Sequence, residues 1–176
     1  MNRVAVIGSG GAGKSVFSTE LGRRTGLPVV HLDRHFWSPG WVAMADEPWE
    51  ARVRELAAAD RWIIDGNYSG TMPIRFERAD TVVFLDLPRI VCLLSVVWRS
   101  FRHRRTPRPD MGEGNPEKLD PAFLKWIWNY PRTRRPEILR QLEALPPTTR
   151  VVRLTSRRAM RDFLGDVSAL SPSMSA

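Results

Sequence analysis

A glycine-rich turn near the amino terminus constrains the fold of this chain more than any other feature. An apolar run at positions 4–7 precedes it, and a helical pattern of apolar residues follows it from Val16 to Arg24. Between them stand Gly8, Ser9, Gly10, Gly11, Ala12, Gly13, Lys14 and Ser15. The spacing Gly-x-x-x-x-Gly-Lys-Ser between a strand and a helix is that of a phosphate-binding P-loop. The sequence therefore predicts a strand, a phosphate loop and a helix, in that order.

The predicted loop suits the tail of a nucleoside triphosphate. Glycines allow positive φ, so that backbone N–H groups can turn inward around phosphate oxygens, and the helix N-terminus adds further donors. Lys14 is expected to reach the β- and γ-phosphates and Ser15 to ligate Mg²⁺. A turn of the dinucleotide-binding kind is the alternative, but Lys14-Ser15 would have no role there. We expect residues 8–16 to bind ATP with magnesium.

Composition bounds the class of protein without deciding its partners. The 176 residues, 43% hydrophobic and 26% charged, fit one globular domain over residues 1–170 and a disordered tail at 171–176. Because no apolar run has membrane-spanning length and the amino terminus lacks a secretory signal, we expect a cytoplasmic protein. The formal charge of +8 fits either a nucleic-acid partner or an enzyme that handles polyphosphates.

Apolar runs alternate with helical patterns along the chain, which favours an α/β fold with a five-stranded parallel sheet. Three of the runs end in an aspartate: Asp33, Asp65 and Asp86. Ligands bind outside the carboxyl ends of such strands, on the side of the P-loop. We expect Asp65 to serve the magnesium ion and Asp33 to hold the acceptor and take its proton. The alternative for both is a capping role at a strand end, and Asp86 could simply cap the following helix.

The acceptor side of the predicted site is aromatic. Residues 34–46 are rich in Pro, Gly and Trp and are expected to form an irregular loop. Trp37 and Trp41 either form walls of the acceptor pocket or pin this loop to the core. Further residues expected to bind the acceptor are Asn67, Arg75 and Arg78, the arginines through a phosphate or carboxylate.

A segment rich in Arg, Pro and Gly, at about residues 103–117, follows a predicted helix that begins at Arg89. We expect it to act as a lid that excludes water from phosphoryl transfer. Most of the arginines around it should be solvated surface. Arg99, near the helix end, and Arg132, beside Pro131, are the two predicted to stabilise the migrating phosphoryl group.

The motifs together resemble two groups of P-loop proteins. The loop at 8–15, Asp65-Gly66 after a strand, the run Phe84-Leu85-Asp86-Leu87-Pro88 and the arginine-rich segment look like adenylate kinase-like nucleoside monophosphate kinases. A closer likeness is to small P-loop proteins called DNA topology modulation proteins, through His31-Leu32-Asp33, Trp37-x-Pro39-Gly40-Trp41, Trp62 to Tyr68 and Asn129-Tyr130-Pro131-Arg132. The resemblance implies a nucleotide kinase fold that uses ATP and Mg²⁺.

Two departures from the adenylate kinase pattern bear on the acceptor. Asn67-Tyr68-Ser69 stands where those kinases have Phe-Pro-Arg, and Ser95 stands where the first of two helix arginines would be. A kinase acting on a nucleotide or a small hydroxylated acceptor is the leading hypothesis. The rival is a regulatory NTPase or DNA-binding protein in which ATP controls a basic surface.

Overall fold

A computed structural model of the chain describes residues 1–102, 114–115 and 120–170. Its main sheet has five parallel strands in the order β2-β5-β1-β6-β7, and two short strands form a separate antiparallel hairpin. The strands are β1 (Arg3–Gly8), β2 (Val29–His31), β3 (Trp37–Ser38), β4 (Val42–Ala43), β5 (Trp62–Asp65), β6 (Thr81–Leu85) and β7 (Arg150–Leu154). The helices are α1 (Lys14–Thr25), α2 (Leu32–Phe36), α3 (Asp46–Ala57), α4 (Met72–Arg78), α5 (Arg89–Arg102), α6 (Pro121–Thr133), α7 (Arg135–Glu143) and α8 (Arg157–Leu170).

The central strand β1 explains why the sheet is covered on both faces. Its side chains alternate, so that Val4 and Val6 enter one hydrophobic cluster while Ala5 and Ile7 enter another. The first cluster is completed by α1, α5 and α8, the second by α3, α4 and α7, and α6 contributes to both. Burial on both faces is what a continuous apolar strand requires, and the predicted five-stranded parallel sheet is confirmed.

The connection from β1 to α1 places the P-loop at the carboxyl edge of the sheet. Gly8, Gly11 and Gly13 have φ values of 152°, 77° and 88°, which residues with a Cβ rarely adopt. Gly26, with φ of 67°, ends α1 in the left-handed conformation. The predicted order of strand, glycine turn and helix is therefore present.

Two elements differ from their predicted form on the acceptor side. The second strand ends at His31 rather than at residue 33, because Leu32 begins the one-turn helix α2 and Asp33 lies in that turn. Residues 34–46 are not an irregular loop: the end of α2 is followed by the β3–β4 hairpin, whose turn contains Gly40 and Trp41, both at positive φ. The local conformational preference of a Pro-Gly-Trp sequence is for a turn or loop. It does not show that contacts with the rest of the fold order these residues.

Pro131 lies inside helix α6. Helix α6 continues through this proline to Thr133 and ends near Arg134, whose N–H bonds to the carbonyl of Tyr130 at 3.0 Å. A proline in the last turn of a helix costs one hydrogen bond there but does not prevent the turn.

Within the described ranges, no helix is both long enough and apolar enough to cross a membrane. The expected tail at 171–176 and most of the expected lid at 103–117 lie outside the residues that the structure describes.

Candidate active site

A deep cleft of about 2250 Å³ opens along the carboxyl edge of the sheet. Residues 10–16 of the P-loop and of α1 line its floor, and Val16, which is largely exposed, lies at its mouth. Asp33 and Asp65 line the same cleft. Both carboxylates therefore lie on the same side of the sheet as the phosphate loop, as the sequence predicts.

The ammonium group of Lys14 lies over the beginning of the loop. Its Nζ donates to the carbonyl oxygens of Gly8 and Ser9 at 3.0 and 3.1 Å. Burial lowers the pKa of Lys14 from its usual value, while the charges of Asp33 and Asp65 act in the opposite direction. These carboxylates are thus close enough to the ammonium to interact with it electrostatically.

The loop is packed so tightly that side chains could not replace its glycines. A Cβ on Gly8 would lie 2.6 Å from the carbonyl oxygen of Leu85, and one on Gly11 would collide with the carbonyl oxygen of Cys92. Ser9 is buried, and its Oγ has no partner among the described residues. Small residues and a buried hydroxyl of this kind fit a cradle for phosphate oxygens.

Asn67 fixes the position of the loop from the neighbouring strand. Its Oδ1 accepts a hydrogen bond of 2.9 Å from the backbone N–H of Gly8. The residue was expected to bind the acceptor, and it does line the cleft. The structure shows in addition that Asn67 holds the beginning of the P-loop, a contact that no local sequence pattern indicates.

Asp65 lies at the end of β5, the strand that pairs directly with β1. Its side chain is almost fully buried, and Oδ2 lies 2.7 Å from Nδ1 of His31, the residue opposite in β2. The other ring nitrogen of His31 is 3.5 Å from Oγ1 of Thr19. The His31 contact was not predicted, although the two strand ends made it possible.

Asp33 lines the same cleft from α2 and is held by an aromatic side chain. The hydroxyl of Tyr68 donates to its Oδ1 at 2.6 Å. Burial and the nearby Asp33 charge raise the pKa of Tyr68 well above its ordinary value, so that the phenol stays protonated and remains a donor. Tyr68 also has a φ of 39°, one of two non-glycine residues at positive φ among those described.

Trp37 and Trp41 line the cleft and are also fixed by contacts with other aromatic rings. Each lines the cleft, and their rings meet edge to face at 5.5 Å between centroids. Trp37 also packs edge-on against Phe36, which joins the core at the back of the pocket. They are therefore walls of the cleft that are fixed to the core.

Residues Gly114 and Asn115 hold the tip of the hairpin. The side-chain Oδ1 of Asn115, which is 3% exposed, accepts from the backbone N–H of Trp41 at 2.7 Å. The carbonyl of Gly114 accepts from the N–H of Gly40 at 3.1 Å. Trp41 has a φ of 63°, so these contacts help to maintain an unfavourable backbone conformation beside the cleft.

We expect Asn115→Ala to raise the KM for the acceptor about tenfold while changing kcat little, because Trp41 would lose the contact that orients it. Loss of one buried hydrogen bond of this kind costs about 1–3 kcal/mol. Steady-state kinetics with acceptor and ATP varied in turn check this. An equal rise in the KM for ATP would contradict a local effect on the hairpin.

The predicted arginines divide into two groups. Arg99 lines the cleft and acts electrostatically on Lys14. Arg132 is exposed in the last turn of α6, and the structure does not bring it into the cleft. Its role at the migrating phosphoryl group therefore stays a prediction.

Arg75 and Arg78 were expected to bind an acceptor anion, and the structure contradicts both expectations. Arg75 is fully buried, and its guanidinium donates to the carbonyls of Gly66 at 2.8 Å and Asn67 at 2.5 Å. Arg78 lies at the opposite edge of the sheet, where it donates to the carbonyl of Ala58. Helix α4 runs away from the cleft, so that its two arginines cannot both face an acceptor.

Arg75 is instead a structural support of the loop after β5. We expect Arg75→Met to lower the free energy of unfolding by about 2–4 kcal/mol, because two carbonyls would lose their charged donor in a buried place. Urea denaturation followed by tryptophan fluorescence measures this. Arg78→Met is the matched control, with an expected change below about 0.5 kcal/mol. Equal effects of the two substitutions would contradict the structural role of Arg75.

Two arginines of α8 line the cleft without having been predicted. Arg157 donates to Oγ of Ser95 at 2.7 Å, and Arg161 lies one turn further on. Ser95 stands where the resemblance to adenylate kinases implies an arginine. A distant part of the chain thus supplies a guanidinium at that place, which only the tertiary structure could reveal.

Asp86, the third strand-end aspartate, is a structural residue. It is almost fully buried and pairs with Arg135 at 2.9 Å and Arg153 at 2.6 Å. It is not among the residues that line the cleft.

No group of three His, Cys, Asp or Glu side chains that could hold a metal ion occurs in the part of the chain that the structure describes. Magnesium usually binds one or two protein oxygens together with substrate phosphates, so a phosphate-borne ion needs no such cluster. The Ser15 hydroxyl and the Asp65 carboxylate, both lining the cleft, have the oxygen chemistry that this ion prefers.

Comparison with solved structures places this architecture among known folds. The shikimate kinase from Acinetobacter baumannii, in complex with shikimate, shares 16% identity over 99% of this chain and 96% of its own, with a TM-score of 0.57. The shikimate kinase from Bacteroides thetaiotaomicron shares 15% identity over 96% and 97%, with a TM-score of 0.55. The gluconokinase from Sinorhizobium meliloti 1021 shares 18% identity over 96% and 93%, with a TM-score of 0.52. The chain has the fold of the P-loop kinases.

These identities show a common fold and nothing finer. No protein-family model matches the sequence, and no curated protein sequence matches it. The likeness to adenylate kinase-like enzymes and to DNA topology modulation proteins therefore stays a prediction from sequence motifs.

Proposed function

We propose that the protein is a kinase that transfers the γ-phosphoryl group of Mg-ATP to a hydroxyl group of a small acceptor. The observation that carries this proposal is the shared cleft, which Lys14, Asp33 and Asp65 all line, with both carboxylates close enough to the Lys14 ammonium to act on it electrostatically. In phosphoryl transfer the protein mainly positions the reactants and supplies charge, and both functions are available here. The fold of P-loop kinases is consistent with this activity.

Each side chain has a definite task in the proposed reaction. Backbone N–H groups of residues 10–14 bind the triphosphate, and Lys14 leaves its loop carbonyls to contact the β- and γ-phosphates. The acceptor hydroxyl oxygen attacks the γ-phosphorus, the bond to the β-phosphate oxygen breaks, and ADP leaves. Asp33 takes the hydroxyl proton, with Tyr68 orienting its carboxylate. Arg99 stabilises charge on the transferred group.

Magnesium, held by Ser15 and Asp65, would neutralise charge on the phosphates of the donor. His31, which contacts Asp65, orients this carboxylate, as partners of metal ligands commonly do.

The test is a coupled assay of ADP release with Mg-ATP and a panel of nucleosides, nucleotides and hydroxylated metabolites. Acceptor-stimulated release that requires Mg²⁺ is the expected result. Calorimetry provides an independent readout of donor binding. Absence of magnesium-dependent ATP binding would contradict the proposal before any acceptor is known.

No described contact favours the rival function, in which a basic surface binds DNA under the control of ATP. Of the arginines that such a surface would use, Arg104 and Arg105 lie outside the described residues. A salt-dependent, sequence-independent DNA affinity that Arg102→Ala, Arg104→Ala and Arg105→Ala together abolish would favour it.

A further inference from the structure

We propose that Arg157 binds the triphosphate of ATP and that Ser95, on a neighbouring helix, holds its guanidinium in place for this contact. The inference rests on the ATP binding that the proposed function requires, and it assigns a further residue to the same site. It follows from a hydrogen bond that joins α8 to α5 within the lining of the cleft, across 62 positions of sequence.

Helix α5 lies directly against the P-loop beside Ser95. A Cβ on Gly11 would collide with the carbonyl oxygen of Cys92 and would lie 2.9 Å from Cγ2 of Val96. Ser95 is the residue before Val96, and it lines the cleft together with residues 10–14 of the loop. A group held by Ser95 is therefore close to the backbone that would bind the phosphates.

The hydroxyl of Ser95 is oriented by its own helix. It donates to the carbonyl oxygen of Val91 at 2.6 Å and accepts from Nη2 of Arg157 at 2.7 Å. Because a hydroxyl has one proton, the bond to Val91 leaves its lone pairs for the guanidinium. The contact takes one of the five N–H donors of Arg157, a side chain whose planar fork suits phosphate oxygens. Arg157 is exposed and lines the cleft, so that a ligand there can reach it.

Helix α8 provides Arg157 with a fixed support beside the P-loop. Arg157 is the first residue of this helix. One turn further on, the methyl group of Met160 lies 3.8 Å from the place that a Cβ on Gly13 would take. Phe163 packs against Phe17 of α1, with 6.0 Å between ring centroids. The start of α8 is thus held against α1, the helix that begins at the end of the P-loop.

The charges of Arg157 and Lys14 act on the same buried group. Burial raises the pKa of the Cys92 thiol, while the charges of Lys14 and Arg157 act in the opposite direction. Cys92 is fully buried, and its carbonyl lies against Gly11 of the loop. Both cations are therefore within electrostatic reach of one point beneath the loop, as two groups that bind one chain of phosphates would be.

A structural clamp between α8 and α5 is the alternative role for Arg157. Such a clamp needs the hydrogen bond to Ser95 but not the positive charge, whereas phosphate binding needs the charge. Arg157→Gln separates the two roles, because glutamine keeps an N–H donor and loses the charge. Arg157→Lys is the conservative variant, because it keeps the charge without the planar fork.

Calorimetric titration with Mg-ATP tests the inference on the full chain. We expect Arg157→Gln to raise the dissociation constant about tenfold or more, and Arg157→Lys to raise it only about threefold. The matched control is Arg158→Gln, which removes an exposed arginine that pairs with Asp162 at 3.7 Å and does not line the cleft. It should change the dissociation constant less than twofold. Thermal midpoints show whether each variant is folded.

Three results would overturn the inference. The first is an affinity like that of the parent in Arg157→Gln. The second is an equal loss in Arg158→Gln, which would indicate an effect of overall charge. The third is an equal loss in Arg157→Gln and Arg157→Lys together with equal falls in thermal midpoint, which would assign Arg157 to a structural clamp.

Failure of the proposed function has a different signature. If Mg-ATP binds but no acceptor stimulates ADP release, the kinase assignment fails, while the order of affinities among the variants still decides the role of Arg157. A parent protein that binds no Mg-ATP overturns both.

Discussion

Lys14→Ala is expected to lower kcat for phosphoryl transfer by about 10²–10³-fold, the loss found when one preorganised donor to transition-state charge is removed. In the structure Lys14 contacts only loop carbonyls through the hydrogen bonds described, and its pKa is lowered by burial. The ammonium is thus held in a partly desolvated place, where its charge acts on phosphate oxygens more strongly than it would in water. The coupled assay at saturating ATP and acceptor measures the effect.

Two controls make this result specific to the role of Lys14. Lys125→Ala removes an exposed lysine of α6 that does not line the cleft, and it should leave kcat within twofold of the parent. Circular dichroism and the thermal midpoint should show that Lys14→Ala remains folded. Unchanged turnover in a folded Lys14→Ala protein would reject the assignment of Lys14 to the transferred group.

The sheet and the P-loop could be predicted because their signals are local. Alternate residues of β1 are apolar on both faces, and glycines at positions 8, 11 and 13 stand where the backbone adopts positive φ. The place of Asp65 beside the P-loop follows in the same way, because the apolar run before it forms β5, which pairs with β1. A run of β-branched residues followed by a turn carries this information without any knowledge of the rest of the chain.

The contacts that complete the site depend instead on the tertiary structure. Arg75 was expected to bind the acceptor, but carbonyls from the preceding loop fix it below the surface. The side chain of Tyr68 reaches Asp33 across 35 positions of sequence, and that of Arg157 reaches Ser95 across 62. The separation of two residues along the chain does not tell how far apart their side chains lie in the fold. The arginines could therefore be counted from the sequence, but their individual roles could not be predicted from it.

The substitution Asp33→Asn tests the acceptor side of the proposed site. It keeps the size of the side chain and an oxygen for the Tyr68 hydroxyl, but it removes the group that accepts the proton. We expect kcat to fall by about 10²–10⁴-fold, the usual contribution of general acid–base catalysis. The dissociation constant for Mg-ATP, measured by calorimetry, should change less than threefold, because the P-loop contacts remain.

Tyr68→Phe separates the orientation of Asp33 from its chemistry. The variant keeps the aromatic ring that packs on Phe36 and Trp49 but removes the hydroxyl that bonds to Asp33 at 2.6 Å. We expect a smaller loss of kcat, about tenfold, since the carboxylate can still take a proton when it is in place. Asp60→Asn, at an exposed position before β5, is the matched control and should have no effect. If Asp33→Asn weakened Mg-ATP binding as much as it lowered kcat, Asp33 would belong to the metal rather than to the acceptor. The assignment of separate donor and acceptor sides to the cleft would then be wrong.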